Sequence, residues 1–206
     1  TLREAGLAPE GINALTGGGG EIGDLLVADP RVRKITFTGS RDVGEHICRT
    51  AGIKRVTMEL GSNAPVIVMP DAELQRSIAA MLGACYGCAG QRCLAGSVLI
   101  AVGNPTEQDA IVDAFVNGAK ALKLGDGMDE SATLGPVINT PQRDRILTAI
   151  ERGISEGARL VLDGRGQKVA SRPSGCFIGA CVFDRVTPEM FLAREEIFGP
   201  VLSVMR

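Results

Sequence analysis

Short apolar runs alternate along this chain with longer stretches whose apolar positions recur at helical spacing, and glycine or proline marks most of the junctions. That alternation predicts an α/β architecture built on a parallel sheet. Strands are expected at Ile12 to Leu15, Val32 to Phe37, Val56 to Leu60, Ala64 to Met69, Val98 to Val102, Leu160 to Leu162 and Phe177 to Phe183. Helices are expected after Gly17-Gly18-Gly19-Gly20, over Asp42 to Thr50, from an Asp71 N-cap to about Cys85, over Thr106 to Leu122 and over Pro141 to Ile154. Gly87 to Ser97 reads as a small-residue loop, and Asp163 to Lys168 as a surface turn. Repeats and low-complexity segments are absent.

Composition narrows the function classes. A chain of 206 residues, 45% hydrophobic and 22% charged, has the material for a packed core. A net charge of -2 gives no electrostatic reason to bind nucleic acid or an anionic membrane surface. With 3% aromatic residues and no tryptophan, platforms for stacking bases are not expected. There is no apolar run of membrane-spanning length and no signal peptide pattern. Six cysteines in a chain with room for a core are read as free thiols in a reducing, cytoplasmic compartment. Thr1 at the start and Val201 to Arg206 at the end, which reads as a strand still in progress, point to a piece of a longer protein.

Four constellations carry chemistry. In Phe37-Thr38-Gly39-Ser40, followed by Gly44, a strand runs through a glycine turn into a helix N-terminus. Such a junction offers backbone N–H groups and a helix dipole to an anion, although a plain strand-to-helix turn also needs glycine. In Met58-Glu59-Leu60-Gly61 a carboxylate sits between apolar residues at a strand end, where partial desolvation suits a general base. The bland alternative is a solvent-facing acid. In Gly90-Gln91-Arg92-Cys93 a thiol lies in a small-residue loop beside a cation that favours the nucleophilic thiolate, the alternative being a structural cysteine. Glu195-Glu196-Ile197-Phe198-Gly199-Pro200 offers an acid for a sugar hydroxyl and an aromatic ring for a planar group. Cys85-x-x-Cys88 with Cys93 raises a competing metal or redox module, but no fourth ligand lies near in sequence. No metal is expected, and Cys85 and Cys88 are read as packing residues, with an off-pathway Cys88–Cys93 disulfide as the alternative for Cys88.

Taken together and in this order, the four motifs resemble the NAD(P)-dependent aldehyde dehydrogenase superfamily through nearly the whole chain. The resemblance implies residues 1–58 as the end of a Rossmann-like cofactor domain and 59–206 as most of an α/β catalytic domain. It implies Cys93 as nucleophile and Glu59 as the base that activates water. Cofactor contacts are implied at Gly19 and Gly23 over the pyrophosphate, and at Phe37, Thr38, Gly39, Ser40, Gly44, Leu60 and Gly61 on the nicotinamide side. Glu196 is implied at the ribose and Phe198 at the nicotinamide. NAD or NADP, a small aldehyde and a dimeric or tetrameric assembly follow from the same likeness, and the family's oxyanion asparagine falls upstream of Thr1. Ala89 to Gly96, Leu162 to Arg165 and Val186 to Met190 resemble the CoA-acylating methylmalonate-semialdehyde dehydrogenases. Those enzymes typically lack a glutamate at the position of Glu59, so its presence here favours water over CoA as acyl acceptor.

Overall fold

A computed structural model describes residues 1–206, which divide into two compact units, Thr1–Gly61 and Ser62–Arg206.

In the first unit a π-helical turn, Gly19–Gly23, runs into helix α1 (Asp24–Ala28). Strand β1 (Lys34–Thr38), helix α2 (Arg41–Ala51) and strand β2 (Arg55–Glu59) form one βαβ unit, with β1 and β2 paired in parallel. Its core is small: Val27, Ile47 and Ala51 are buried, with Ile35, Phe37 and Met58 packed against them. The His46 ring lies 2.8 Å from the Asp24 carboxylate and ties α1 to α2. The strand expected at Ile12 to Leu15 does not form. Ile12 has extended dihedrals, but the sheet of this unit is β1–β2 alone, and a strand needs a hydrogen-bonding neighbour.

The second unit is a five-stranded sheet in the order β3-β4-β7-β6-β5. Its strands are β3 (Ala64–Val68), β4 (Gly96–Ala101), β5 (Arg159–Leu162), β6 (Cys181–Asp184) and β7 (Val201–Met205). β3, β4, β7 and β6 run parallel, whereas β5 pairs antiparallel at the edge, so the expected parallel sheet is mixed. β6 and β7 are buried nearly throughout, as interior strands covered on both faces are, with Asp184 and Ser203 as the buried polar residues among them.

Helices α3 (Leu74–Tyr86), α4 (Pro105–Lys120) and α5 (Thr140–Ser155) cover the sheet, and α6 (Phe191–Arg194) is a single turn. α3 buries Ile78, Met81, Cys85 and Tyr86, an apolar stripe at i, i+3, i+7 and i+8. A Cβ at Gly118 of α4 would lie 2.6 Å from Leu82 Cδ1, so glycine permits the close α3–α4 approach. Tyr86 anchors α3 to β6 by donating its hydroxyl to the Cys181 carbonyl at 3.0 Å.

Two helix starts follow sequence rules closely. Asn104 and Glu107 form a capping box before α4, and Asn139 accepts from Gln142 N–H before α5, each with proline in the first turn. Asp71 is not the α3 cap: the turn Met69–Ala72, closed by Ala72 N–H to Met69 C=O at 3.1 Å, delays the helix to Leu74. The strand expected from Phe177 begins only at Cys181, because Val137 N–H takes the Cys176 carbonyl and Gly179 N–H bonds Gly164 C=O instead of a strand partner. No helix is long and apolar enough to cross a membrane.

Candidate active site

Within the first unit the parallel register sets Thr38 opposite Glu59, so both motif segments leave the sheet at its carboxyl end. Gly39 N–H donates to the Glu59 carbonyl at 3.1 Å and closes the turn. The Phe37 ring folds back over Gly39, where an added Cβ would lie 2.4 Å from Phe37 Cζ. Leu60 rests on the buried Gly44 in the same way, at 2.5 Å from a Cβ there. Phe37, Gly39, Gly44 and Leu60 are thus one packed group. Ser40 occupies the N-cap of α2 in an extended conformation, and its side chain caps none of the first N–H groups. Gly19 and Gly23 lie in the π-helical turn, and a Cβ on either would meet nothing within 4 Å. Glu59 is solvent-exposed, not partly desolvated as expected, because β2 has a single strand neighbour.

In the second unit α3 stops at Tyr86, and the chain turns through Gly87–Gly90 with φ of 53° at Cys88, 53° at Ala89 and 70° at Gly90. Non-glycine residues in the left-handed region cost roughly 1–2 kcal/mol each, so such a turn persists only if its surroundings hold it. Three contacts do so. Gln91 donates Nε2 to the Cys88 and Pro136 carbonyls at 3.1 and 3.4 Å and accepts from Ile138 N–H at 2.9 Å. Arg92 donates Nη2 to the Gly83 and Ala84 carbonyls at 2.6 and 2.9 Å, which caps the end of α3. A Cβ on Gly90 would lie 2.1 Å from the Gly199 carbonyl oxygen, so the loop backbone meets the segment after Phe198 directly.

Cys93 follows on this braced loop, exposed and with a free thiol. The guanidinium expected to sit beside its sulfur is committed instead to the α3 carbonyls. Arg92 acts on Cys85, whose thiol burial nevertheless pushes up to about 12. Cys85 is buried, as a packing cysteine should be, whereas Cys88 is exposed, contrary to its expected packing role. The two thiols of Cys85-x-x-Cys88 therefore face different environments, and no three metal-ligating side chains gather anywhere in the chain.

Glu196 and Phe198 line one narrow crevice together with Ser62, Gly90, Arg92 and Ala95, which joins the segment 195–200 to the loop that carries Cys93. Phe198 also has a left-handed backbone, φ 56°. Sequence reasoning missed Asn63 and Ser97. Asn63 Nδ2 donates to the Ala193 carbonyl at 2.7 Å, Ser97 Oγ bonds Asn63 Oδ1, and buried Ser203 Oγ reaches the Leu192 carbonyl at 3.2 Å. This network ties the strand after the Cys93 loop to the helix before Glu196, and no local pattern announces it. Asn63→Ala is expected to lower stability by about 1–3 kcal/mol. A double-mutant cycle with Ser97→Ala, read by urea unfolding, should show coupling of about 0.5 kcal/mol or more, and simple additivity would refute the network.

The family model described as aldehyde dehydrogenase family matches residues 1–206. Malonate-semialdehyde dehydrogenase 2 of Geobacillus kaustophilus is 43% identical over 100% of this chain and 42% of that protein. The crystal structure of methylmalonate-semialdehyde dehydrogenase from Oceanimonas doudoroffii has a TM-score of 0.93 at 40% identity, over 100% of this chain and 42% of that one. A betaine aldehyde dehydrogenase from Staphylococcus aureus, solved in complex with NAD+, has a TM-score of 0.93 at 30% identity, over 99% and 40%. The chain thus spans about 42% of the length of the curated relatives it matches.

Proposed function

This chain belongs to the aldehyde dehydrogenase family, and on that premise we propose that it carries the nucleophile, the general base and part of the cofactor site of an enzyme that oxidises an aldehyde to a carboxylic acid. The observation that carries the proposal is Cys93: a free, exposed thiol on a loop whose backbone is fixed by Gln91, Arg92 and Gly90. A short semialdehyde is the proposed substrate class, from the names of the relatives at 42–43% identity.

The residues fit a dinucleotide. Open space stands over Gly19 and Gly23, and the N-terminus of α2 keeps N–H groups without a side-chain cap. In this proposal the first unit holds NAD or NADP through the Gly19–Gly23 turn and the Phe37–Ser40 turn, with Gly44, Leu60 and Gly61 shaping the latter. Glu196 and Phe198 of the second unit are proposed as further cofactor contacts. When bound, the nicotinamide supplies a hydride acceptor.

The Cys93 thiolate attacks the aldehyde carbon, forming a C–S bond and an alkoxide. The Cys93 backbone N–H is one donor to that oxyanion; a donor of this kind is typically worth about 2.7–4 kcal/mol. Loss of hydride from the thiohemiacetal carbon leaves a thioester on Cys93. Glu59 takes a proton from water, the resulting nucleophile attacks the thioester carbonyl, and the C–S bond breaks to release carboxylate and thiolate.

CoA as acyl acceptor is the second reading, favoured by the likeness to methylmalonate-semialdehyde dehydrogenases. Product analysis of the full-length enzyme with and without added CoA separates the two. Free acid formed at a rate indifferent to CoA is the expected result. A requirement for CoA, with a CoA thioester as product, would overturn water as the acceptor.

A further inference from the structure

Glu196, Ile197 and Phe198 present three consecutive carbonyls to one face of α5. Gln142 Nε2 donates to the Phe198 carbonyl at 2.8 Å and to that of Ile197 at 3.4 Å. Arg145, one turn further along the helix, donates Nη1 to the Glu196 carbonyl at 3.4 Å and Nη2 to that of Ile197. The two side chains also bond each other, Arg145 Nε to Gln142 Oε1 at 3.1 Å. Ile146 packs beside them: a Cβ on Gly199 would lie 2.5 Å from its Cδ1. Asn139 caps the helix that carries all three residues, so the clamp stands on a fixed base.

The clamp grips a segment that does not hold itself. Phe198 sits at φ 56°, outside the regions a bulky side chain prefers. A backbone in this state keeps its side-chain direction only when neighbours over-determine it. Each carbonyl bonded by α5 belongs to a residue whose side chain aims the Glu196 carboxylate and the Phe198 ring, or to the residue between them. Arginine suits the task because its planar fork reaches two acceptors at once.

We infer that Gln142 and Arg145 are positioning residues that aim Glu196 and Phe198 at the nicotinamide half of the cofactor by holding the backbone between them. This rests on the assignment of Glu196 and Phe198 to the cofactor in the proposed function. Neither side chain is a catalytic residue; each acts through the segment it holds.

The test uses the full-length enzyme with NAD as probe. Arg145→Met keeps the apolar stem and removes the fork, Arg145→Lys restores a single-point donor, and Gln142→Ala releases the Phe198 carbonyl separately. Arg145→Met is expected to raise the Kd and KM for NAD about tenfold, which corresponds to about 1.4 kcal/mol. The kcat at saturating NAD should fall less, Arg145→Lys should recover part of the loss, and alkylation of Cys93 by iodoacetamide without cofactor should keep its wild-type rate. Gln142→Ala should reproduce the same split if Arg145→Met does not fold. Unchanged NAD affinity in both clamp variants, with affinity weakened by Glu196→Gln, would overturn the clamp and leave the cofactor segment standing. Unchanged affinity in Glu196→Gln would overturn the cofactor assignment and the clamp with it. A parallel loss of NAD affinity, kcat and Cys93 alkylation would show a general structural role and also overturn the inference.

Discussion

Replacing Cys93 by alanine in the full-length enzyme is expected to lower aldehyde-dependent reduction of NAD(P) by roughly 10⁴-fold or more, with stability within about 0.5 kcal/mol of wild type. The asymmetry follows from placement. The thiol is exposed, so its removal leaves no cavity, yet in the proposed mechanism it supplies the bond on which every later step depends. Other cysteines should behave differently. Cys85 is buried beside Gly96, and burial pushes its thiol up to about 12, so Cys85→Ala costs stability and removes no nucleophile that exists at neutral pH. Cys88 is exposed with φ 53°, the conformation its neighbour Ala89 also adopts, so Cys88→Ala should leave turnover close to wild type. Steady-state rates and urea midpoints of the three variants check the pattern. Turnover by Cys93→Ala within tenfold of wild type would contradict it.

Asp184→Asn is expected to destabilise the second unit by about 3 kcal/mol at pH 7. Asp184 closes β6 at 1% exposure and receives Arg206 through two bonds, Nε to Oδ1 and Nη2 to Oδ2, both 2.9 Å. Arg185 N–H adds a third bond at 2.8 Å. Arg206 also bonds the exposed Asp109 at 2.6 Å, so the loss stays at the lower end of the range for broken buried pairs. The pH dependence has a definite sign. Burial pushes the Asp184 carboxyl up, but the Arg206 and Arg185 bonds and charges outweigh it and hold the group below the ordinary carboxylate range. A carboxyl lowered in the folded state contributes stability that is fully present above its unfolded pKa of about 3.9 and is lost as pH falls through its folded pKa. The gap between wild type and Asp184→Asn should therefore be constant from pH 5 to 8 and close below about pH 4. Urea unfolding at several pH values measures it, and a gap that widens in acid would contradict the ion pair.

Elements specified by local chemistry were legible in the sequence. Asn104-Pro105 with Glu107 and Asn139 with Pro141 announce α4 and α5 because a cap is built from residues within one turn. Elements that depend on distant partners were not. Ile12 to Leu15 has the residues of a strand and no neighbour to pair with, and Phe177 to Ala180 is diverted by Val137 and Gly164. The same division runs through the site. Cys93, Glu59, Glu196 and Phe198 stand out because their motifs are contiguous. Sequence adjacency pairs the Arg92 guanidinium with Cys93, whereas the turn at 88–90 directs it back to α3. Gln142 and Arg145 look like any polar helix face until the carbonyls of residues 196–198 are placed beside them.

In the proposed mechanism an acyl group passes through the sulfur of Cys93 and leaves to water activated by Glu59. The direct test mixes full-length Glu59→Gln enzyme with an aldehyde substrate and NAD(P), quenches in acid and measures the peptide that contains Cys93 by mass spectrometry. An acyl mass on Cys93 is expected to accumulate in Glu59→Gln, decay in wild type and be absent in Cys93→Ala. An acyl group on another cysteine, or Glu59→Gln enzyme with wild-type turnover and no accumulated acyl group, would contradict it.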